Sequence, residues 1–475
     1  MNKTINELLV LETTSMRETL RSIDRNASGI AFVVDESRRL CGVVTDGDAR
    51  RAIIRGLSPD SSVSEFMTAN PVTVPAGTAV EKVLPLLSER IKYIPVVDEQ
   101  RRVTDYMAFA QFMRLPVASP AFPGNELRYV SECVITNWIS SQGRFVSEFE
   151  RLFAEFCAVK HAVALSNGTV ALHLALVLAG VRPGDEVIVP TLSFAATANV
   201  VLHAGATPVF VDSEPTSWNL NPEKVAEKIT SRTKAIIPVH LYGHPADMDP
   251  LMDLARKHRL MVIEDAAEAH GATYKGSRVG SIGDIGCFSF FANKIVTTGE
   301  GGMLTTDDDG IADRARLLRA HGMSRSRKYW HEMVGYNYRP TNLQAAVGVA
   351  QMEQVDSFLK ERDEIAEQYS ACLSGDERIE LPKEAPWAHR VNWLYTVLLR
   401  EDIARDAVIL KLEERGIDAR PVFYPIHSMP PYAASGVFPV ANSISKRGIT
   451  LPTWIHIGEA QIRRICEALV DILPR

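Results

Sequence analysis

The chain after residue 160 alternates short apolar runs with longer amphipathic stretches. The short runs are rich in Val and Ile and end at polar residues, which predicts strands, whereas the longer stretches predict helices. The predicted strands are HAVALS, DEVIVP, PVFVD, KAIIPVHL and LMVIED, and the predicted helices are VALHLALVLAG, AATANVVLHAG, PEKVAEKIT and DPLMDLARKHR. This alternation predicts an α/β domain with a mainly parallel sheet covered on both faces, and ligands gather at the carboxyl ends of such strands.

The first hundred residues contain an internal repeat. GIAFVVDESRRL at residues 29–40 is matched by KYIPVVDEQRRV at residues 92–103, and each copy follows an amphipathic helical stretch. Each copy predicts a strand, a polar turn and the start of a second strand. Two copies of one supersecondary unit predict a pseudo-symmetric pair that buries a shared face.

A chain of 475 residues exceeds what one hydrophobic core usually supports, so two or more domains are expected. The segment RLPVASPAFPGNE, with prolines at 116, 120 and 123, has the composition of a linker. We therefore predict a first module over residues 1–115, a linker over 116–125 and a second domain over 126–475.

Composition and charge exclude several classes of protein. The net charge of −6 is mild, and the basic residues form no stripe along the chain, so no nucleic-acid partner is expected. The N-terminus has no signal-peptide pattern, and no apolar run approaches the roughly 20 residues of a membrane helix, so a cytoplasmic protein without membrane contact is expected. The six cysteines are scattered without metal-ligand spacing, so they indicate reduced thiols and no metal site.

Several predicted strands end in polar or aromatic residues. They include a Gly168-Thr169 turn that opens a helix, Phe194 after VIVP, and Asp265 with Glu268 after LMVI. Each has an ordinary explanation, since Thr caps helices, Phe fills cores and acids complement helix dipoles. Lys294 is harder to explain, because it ends an aromatic, β-prone run with flexible Thr/Gly backbone behind it.

Together these residues form the set that pyridoxal 5′-phosphate (PLP) requires. A lysine amine holds the cofactor covalently, a carboxylate keeps its ring nitrogen protonated, an aromatic side chain covers the ring, and a helix N-terminus binds the phosphate.

From about residue 120 onward the chain resembles the DegT/DnrJ/StrS family of PLP-dependent nucleotide-sugar aminotransferases. The resemblance rests on TNWISSQGRFVSEFE, SNGTVALHLAL, DEVIVPTLSFAATAN, PVHLYGHPADM, VIEDAAEAHGATYKG, FSFFANKIVTTGEGGM and GYNYRPTNLQAAVGVAQ. Within the family, EDAAEAHGA, NKIVTTGEGG and ARPVFYPIHSMPPY are most similar to the GDP-perosamine synthase branch. The resemblance implies an aspartate-aminotransferase-like, three-layer α/β/α domain (PLP-dependent fold type I) followed by a smaller C-terminal α+β domain.

The resemblance also implies roles for individual residues. Lys294 matches the lysine that holds PLP, Asp265 the partner of its ring nitrogen, and Glu268 a position near its phenolic oxygen where most members have Gln. Further matches are a ring-stacking aromatic at Phe194, and phosphate contacts at Gly168, Thr169 and Ser289. Asn337 matches a residue that reaches the phosphate from the neighbouring subunit, which implies a homodimer with shared active sites. Arg420 and His427 lie in a segment matching the nucleotide-sugar pocket.

The repeated first module resembles a tandem CBS domain pair. Residues 42–48, GVVTDGD, are similar to the signature in which a Thr and an Asp contact adenine nucleotides, here Thr45 and Asp48. The second copy has Asp105, Ala108 and Gln111 at the positions of Gly42, Thr45 and Asp48, so at most one nucleotide site is expected. The alternative is a ligand-free regulatory or dimerisation module.

The implied reaction transfers the amino group of L-glutamate to carbon 4 of a 4-keto-6-deoxy nucleotide sugar for polysaccharide or O-antigen biosynthesis. A GDP-linked substrate giving GDP-perosamine is the first choice, and UDP- or dTDP-linked sugars remain open. A PLP-dependent dehydratase is disfavoured, because such relatives carry His at the lysine position. A non-enzymatic nucleotide sensor is a further alternative.

Overall fold

The chain divides into two compact units, Met1–Arg114 and Leu115–Arg475. The computed structural model describes residues 5–26, 28–78, 80–83, 86, 91–108, 115–432 and 436–474. The segment predicted as a linker lies within the second unit, where the N–H of Val117 donates to Asp418 Oδ2 at 3.1 Å and its carbonyl accepts from the N–H of Thr453 at 2.8 Å. The exact domain limits at 115 and 125 stay predictions.

The first unit contains seven described strands and three described helices. Strands β1–β7 are Leu9–Leu11, Ile30–Val34, Leu40–Thr45, Thr68–Ala69, Val74–Pro75, Tyr93–Val97 and Val103–Ala108. Helices α1–α3 are Met16–Asn26, Asp46–Ile54 and Val80–Val83, with 3-10 turns at Ile5–Leu8 and Val63–Glu65. The strands form two sheets in the orders β1-β2-β3-β4 and β5-β6-β7. Part of the helix predicted before the second copy of the repeat, and Gln111, lie outside the described residues.

The repeated sequence forms two equivalent hairpins whose turns meet. The N–H of Leu40 donates to the carbonyl of Arg101 at 2.9 Å, and the N–H of Val103 donates to the carbonyl of Arg38 at 3.1 Å. Apolar residues of both copies then share one buried cluster, which includes Ile30, Phe32, Val34, Leu40, Val97, Val103 and Tyr106. The pseudo-symmetric pairing predicted from the repeat is therefore present.

The second unit contains the remaining elements. Strands β8–β16 are His161–Leu165, Glu186–Pro190, Thr207–Val211, Thr233–Ile236, Met261–Asp265, Thr273–Tyr274, Ser277–Arg278, Ile285–Ser289 and Gly302–Thr306, and β17–β21 are Ile379–Glu380, Ala388–His389, Tyr395–Leu399, Arg420–Pro421 and Gly448–Leu451. Helices α4–α9 are Glu126–Ile135, Arg144–Cys157, Gly168–Leu178, Ala196–His203, Pro222–Lys228 and Met248–His258. Helices α10–α15 are Asp309–Leu318, Asn342–Met352, Val355–Leu373, Arg405–Glu414, Pro439–Arg447 and Glu459–Ile472, with 3-10 turns at Leu241–Gly243, Ile426–Ser428 and Pro430–Tyr432.

A seven-stranded sheet in the order β10-β9-β11-β12-β15-β16-β8 forms the centre of this unit. Its strands are parallel except for β16, which runs antiparallel to both neighbours. On β9, Val187 and Val189 enter one apolar cluster and Ile188 enters another, because successive side chains point to opposite faces. The sheet is therefore covered on both faces, as the alternating sequence predicted.

A smaller antiparallel sheet in the order β17-β19-β21-β20 packs against α12, α13 and α15 through its own apolar cluster. Strands β14, β13 and β18 form a separate three-stranded sheet. Within the described part of the chain, no helix is long and apolar enough to cross a membrane, and no cluster of side chains suits a metal ion.

Two loops beside the large sheet interlock at Gly243. The N–H of Val391 donates to the carbonyl of Gly243 at 3.0 Å. Gly243 has φ +81°, and a Cβ atom at this position would overlap the carbonyl oxygen of Val391. Glycine is required here both for the left-handed backbone and for the close approach. This contact joins the loop after β11 to the loop before β19.

We expect Gly243→Ala to destabilise the second unit by about 3 kcal/mol or more, because backbone strain and overlap add. Gly375→Ala is the matched control, since Gly375 has φ +85° and open space around it, so only strain of about 1 kcal/mol applies. All six tryptophans lie in the second unit, so urea unfolding followed by their fluorescence measures the two variants. Equal losses in both would show that the Val391 contact is unimportant.

Candidate active site

A cavity of about 680 Å³ opens at the carboxyl end of the large sheet. Asp265 is the last residue of β12, Ser289 the last of β15, and Gly168 the first of α6. Eight of the residues predicted from the sequence line this cavity: Gly168, Thr169, Phe194, Asp265, Glu268, Ser289, Lys294 and Arg420. Parallel strands bring their carboxyl ends to one edge, which explains how residues far apart in sequence meet.

The side chain of Lys294 is 11% exposed and its amine faces a carboxylate and an indole. The Nζ atom lies 3.9 Å from Glu268 Oε1 and 3.7 Å from the ring centroid of Trp393. Burial lowers the pKa of Lys294, while the carboxylates of Glu268 and Asp265 oppose that shift. A buried amine with a lowered pKa is a suitable nucleophile and proton carrier.

Asp265 is oriented towards the cavity by a buried threonine. Thr197 Oγ1 donates to Asp265 Oδ2 at 2.7 Å, and the N–H of Ala267 donates to Oδ1 at 3.3 Å. Burial raises the pKa of Asp265, and these hydrogen bonds act in the opposite direction. The carboxyl is therefore fixed in direction and placed to meet a cationic group in the cavity.

Glu264, the neighbour of Asp265, faces the other side of β12 and has a structural role. Its carboxylate accepts from His240 Nε2 at 3.0 Å and from the N–H groups of Gly280, Ile282 and Gly283 at 2.7–2.8 Å. Because the N–H of Ala246 donates to His240 Nδ1, the ring proton of His240 lies on Nε2. This network holds the end of β12 in place.

Glu268 is buried beside Lys294 and accepts from the N–H of Tyr242 at 2.9 Å. Burial raises the pKa of Glu268 from 4.5 to about 7, against the opposing charge of Lys294. At neutral pH this carboxyl thus carries a proton part of the time and can donate a hydrogen bond, as the amide of a Gln would.

The N-terminus of α6 lies against the end of β15. A Cβ atom on Gly168 would come within 2.7 Å of the Cβ of Ser289, so only glycine permits this approach. Asn167 caps the helix by accepting from the N–H of Val170 at 3.0 Å. The N–H groups of Gly168 and Thr169 have no partner within the helix and, with the helix dipole, suit an anion such as phosphate.

Four aromatic side chains line the cavity: Phe194, Tyr242, Trp393 and Phe423. Phe194 is 61% exposed, with its ring 6.0 Å from that of Phe423. Tyr242 stacks between Phe423 and Trp393, at 5.4 Å and 6.1 Å between ring centroids. The sequence predicted Phe194 but missed the other three residues, since no local spacing relates them to Lys294.

Other predicted site residues lie elsewhere. His427 Nδ1 is bonded to Thr191 Oγ1 at 2.5 Å, and the side chain of Asn337 accepts from Arg339 Nε at 3.2 Å; neither residue lines the cavity. In the first unit, Thr45 and Asp48 form a capping box at the start of α2, with Thr45 Oγ1 2.7 Å from Asp48 Oδ2. This cap accounts for both residues structurally, and their role in nucleotide binding stays a prediction.

Glu268→Gln is expected to change how stability depends on pH. The folded chain keeps the proton of Glu268 between pH 4.5 and about 7, where the unfolded chain has lost it, so stability falls as the pH rises through this window. Gln does not titrate. We compare the unfolding midpoints of the cofactor-free variant and the cofactor-free parent. The midpoint of Glu268→Gln minus that of the parent should therefore increase by about 2–5 °C from about pH 5 to about pH 8.

Scanning calorimetry at several pH values measures this difference. Glu414→Gln, at an exposed glutamate of the same unit, is the control and should follow the parent at every pH. If the unfolding midpoints of Glu268→Gln and the parent differed by the same amount at every pH, the raised pKa of Glu268 would be contradicted.

Comparison with known proteins agrees with this geometry. The DegT/DnrJ/EryC1/StrS aminotransferase family matches residues 122–470, and the CBS domain matches residues 1–55 and 63–105. The chain is 53% identical over 365 residues to the GDP-perosamine synthase of Caulobacter vibrioides, an alignment covering 76% of this chain and 98% of that protein. It is 45% identical over 356 residues to the GDP-perosamine synthase of Escherichia coli O157:H7, covering 75% and 97%.

Among solved structures, the aminotransferase TlmJ of Streptoalloteichus hindustanus superposes with a TM-score of 0.72 at 31% identity, covering 75% of this chain and 98% of that protein. The family match spans most of the chain, and the buried lysine lies at the strand ends together with the two carboxylates. The chain therefore belongs to the DegT/DnrJ/EryC1/StrS aminotransferase family and is a PLP-dependent aminotransferase.

Proposed function

We propose that this enzyme transfers the amino group of L-glutamate to carbon 4 of a GDP-linked 4-keto-6-deoxy sugar, giving GDP-perosamine. The observation that carries the proposal is the buried amine of Lys294, which lies beside Glu268 and shares a cavity of about 680 Å³ with Asp265. That volume suits a small-molecule ligand. GDP-perosamine synthases from three bacteria are 43–53% identical to this chain over nearly their whole length, which supports the substrate.

The residues of the cavity suit PLP. The N-terminus of α6, with Thr169 and Ser289, would hold the phosphate, because the close approach at Gly168 leaves N–H groups and hydroxyls at one point. Asp265 would face the ring nitrogen, and Phe194 would cover one ring face. When bound, PLP withdraws electrons from the carbon that carries the amino group.

Lys294 and Glu268 would carry and exchange protons in the site. Lys294 would hold the cofactor through its Nζ atom, and whenever that amine is free it would carry the proton that moves during transfer of the amino group. Glu268, with its pKa near 7, would lie at the cofactor's phenolic oxygen and donate or accept a hydrogen bond there. The imidazole that replaces the lysine in dehydratase relatives lacks a primary amine, so Lys294 favours transamination over dehydration.

A homodimer with shared sites completes the proposal. Asn337 lies outside the cavity of its own subunit. We infer from its match to the family asparagine that it would reach the phosphate in the site of a second copy. The following exposed apolar side chains of α4 and the segment after it would be covered by a second copy: Leu127 in the first turn, Val134 and Ile135 in the last turn, and Trp138 and Ile139 beyond it. The cavity also has the exposed Phe291 at its rim, which suits closure by another chain.

The donor and the sugar are tested together. We expect the purified enzyme to transfer the isotopically labelled nitrogen of L-glutamate to GDP-4-keto-6-deoxymannose. Double-reciprocal plots at several glutamate concentrations should give parallel lines. The enzyme should use UDP- and dTDP-linked 4-keto sugars at least about tenfold less efficiently. Mass spectrometry of the product detects the label. Lys294→Arg should lower turnover at least about a hundredfold.

If the enzyme preferred a UDP- or dTDP-linked sugar, the proposed substrate would be wrong but the proposed reaction would stand. A nitrogen-free product would instead indicate dehydration, and no turnover with any 4-keto sugar would leave the nucleotide-sensor alternative.

For the first unit we propose that an adenine nucleotide binds near Thr45 and Asp48, since the CBS family matches this region and the two residues lie at the N-terminus of α2. Calorimetry with ATP, ADP and AMP should give binding heat that Asp48→Asn weakens about tenfold. Asp105→Asn, in the second copy, is the matched control and should leave binding unchanged. The absence of heat with all three nucleotides would favour a ligand-free module.

A further inference from the structure

Trp393 contacts the amine of Lys294 and the backbone of the residue before it. Its indole N–H donates to the carbonyl oxygen of Asn293, the residue before Lys294, at 2.7 Å. Its ring face lies 3.7 Å from Lys294 Nζ. One side chain therefore holds the backbone where the lysine begins and the amine where it ends.

The indole is itself held rigidly. Trp393 is 4% exposed, and its ring is stacked at 17° on Tyr242, which in turn is stacked at 14° on Phe423. The buried guanidinium of Arg362 donates to the carbonyl oxygens of Asn392 at 3.2 Å and of Trp393 at 2.6 Å. Because backbone and ring are both fixed, the indole face presents a preorganised surface to the amine.

Such a surface would stabilise the lysine amine of an aminotransferase. During part of each cycle the lysine is detached from the cofactor, and a buried ammonium without partners is costly. The described groups facing the amine are the carboxyls of Glu268 and Asp265, and burial lowers the pKa of the nearby His270 to about 3, so its ring is neutral. At 3.9 Å, Glu268 is too distant for a hydrogen bond to the amine, whereas the centroid of the Trp393 ring lies 3.7 Å from it.

We propose that Trp393 is a positioning residue whose indole face is the resting site of the Lys294 amine whenever that amine is not joined to the cofactor. The contact is a cation–π interaction, which favours the charged amine and keeps it next to Glu268. The proposal rests on the membership in the aminotransferase family and is independent of which sugar the enzyme uses.

The first test measures the amine directly in the cofactor-free, full-length chain. The rate at which acetic anhydride modifies Lys294, followed across pH by peptide mass spectrometry, gives the pKa of that amine. Trp393→Leu should move the midpoint of this curve down by about 0.4–1.5 pH units, since a cation–π contact is worth about 0.5–2 kcal/mol. Trp393→Phe keeps a ring and should move the midpoint by less.

Trp454→Leu is the control for losing a tryptophan, because Trp454 packs against the apolar cluster of the smaller sheet. This substitution should leave the midpoint of the Lys294 modification curve unchanged. The midpoint, and not the absolute rate, is compared because opening the cavity would raise the rate at every pH. An unchanged midpoint in folded Trp393→Leu overturns the proposal.

The second test avoids any change of shape. Tryptophan analogues with increasing numbers of ring fluorines weaken the π face while the side chain keeps nearly its size. Incorporated into the parent chain, they should lower the pKa of Lys294 stepwise, and in Trp393→Phe the same analogues at the other tryptophans should have no effect. A flat response in the parent, or an equal response in both chains, would show that the indole does not hold the amine.

Discussion

The site depends on a lysine amine that is buried beside a carboxylate and an indole, with a second carboxylate in the same cavity. Burial lowers the pKa of Lys294 and raises that of Glu268, so neither charge is fully stabilised. Such a pair is costly unless its surroundings hold it in one geometry. The chain provides that geometry with the end of β12 on one side and with Trp393 on the other.

The support for these charges lies in elements that do not touch the reaction. Glu264 and His240 fix the end of β12, and the Gly243–Val391 contact joins the loop that carries Tyr242 to the loop that carries Trp393. The buried guanidinium of Arg362 holds the loop that carries Trp393. Removing that guanidinium from water costs free energy. Elements away from the reacting groups thus fix the distances between those groups.

The sequence predicted the fold well where one pattern repeated over many residues. The alternation of strands and helices predicted the parallel sheet covered on both faces, and the repeat at residues 29–40 and 92–103 predicted the paired hairpins. It did not predict the antiparallel insertion of β16 between β15 and β8, because strand order depends on long-range pairing that periodicity does not encode.

For the site, the sequence by itself determined which chemical groups are present and, through their places at strand ends, that Lys294, Asp265, Glu268 and the start of α6 share one cavity. Only the tertiary structure decided the surroundings that set their behaviour. The indole of Trp393 at the amine, the pKa of Glu268 near 7 and the exclusion of His427 from the cavity all follow from loops packed across the fold. Burial and distance set a pKa, and neither is a property of neighbouring residues in the chain.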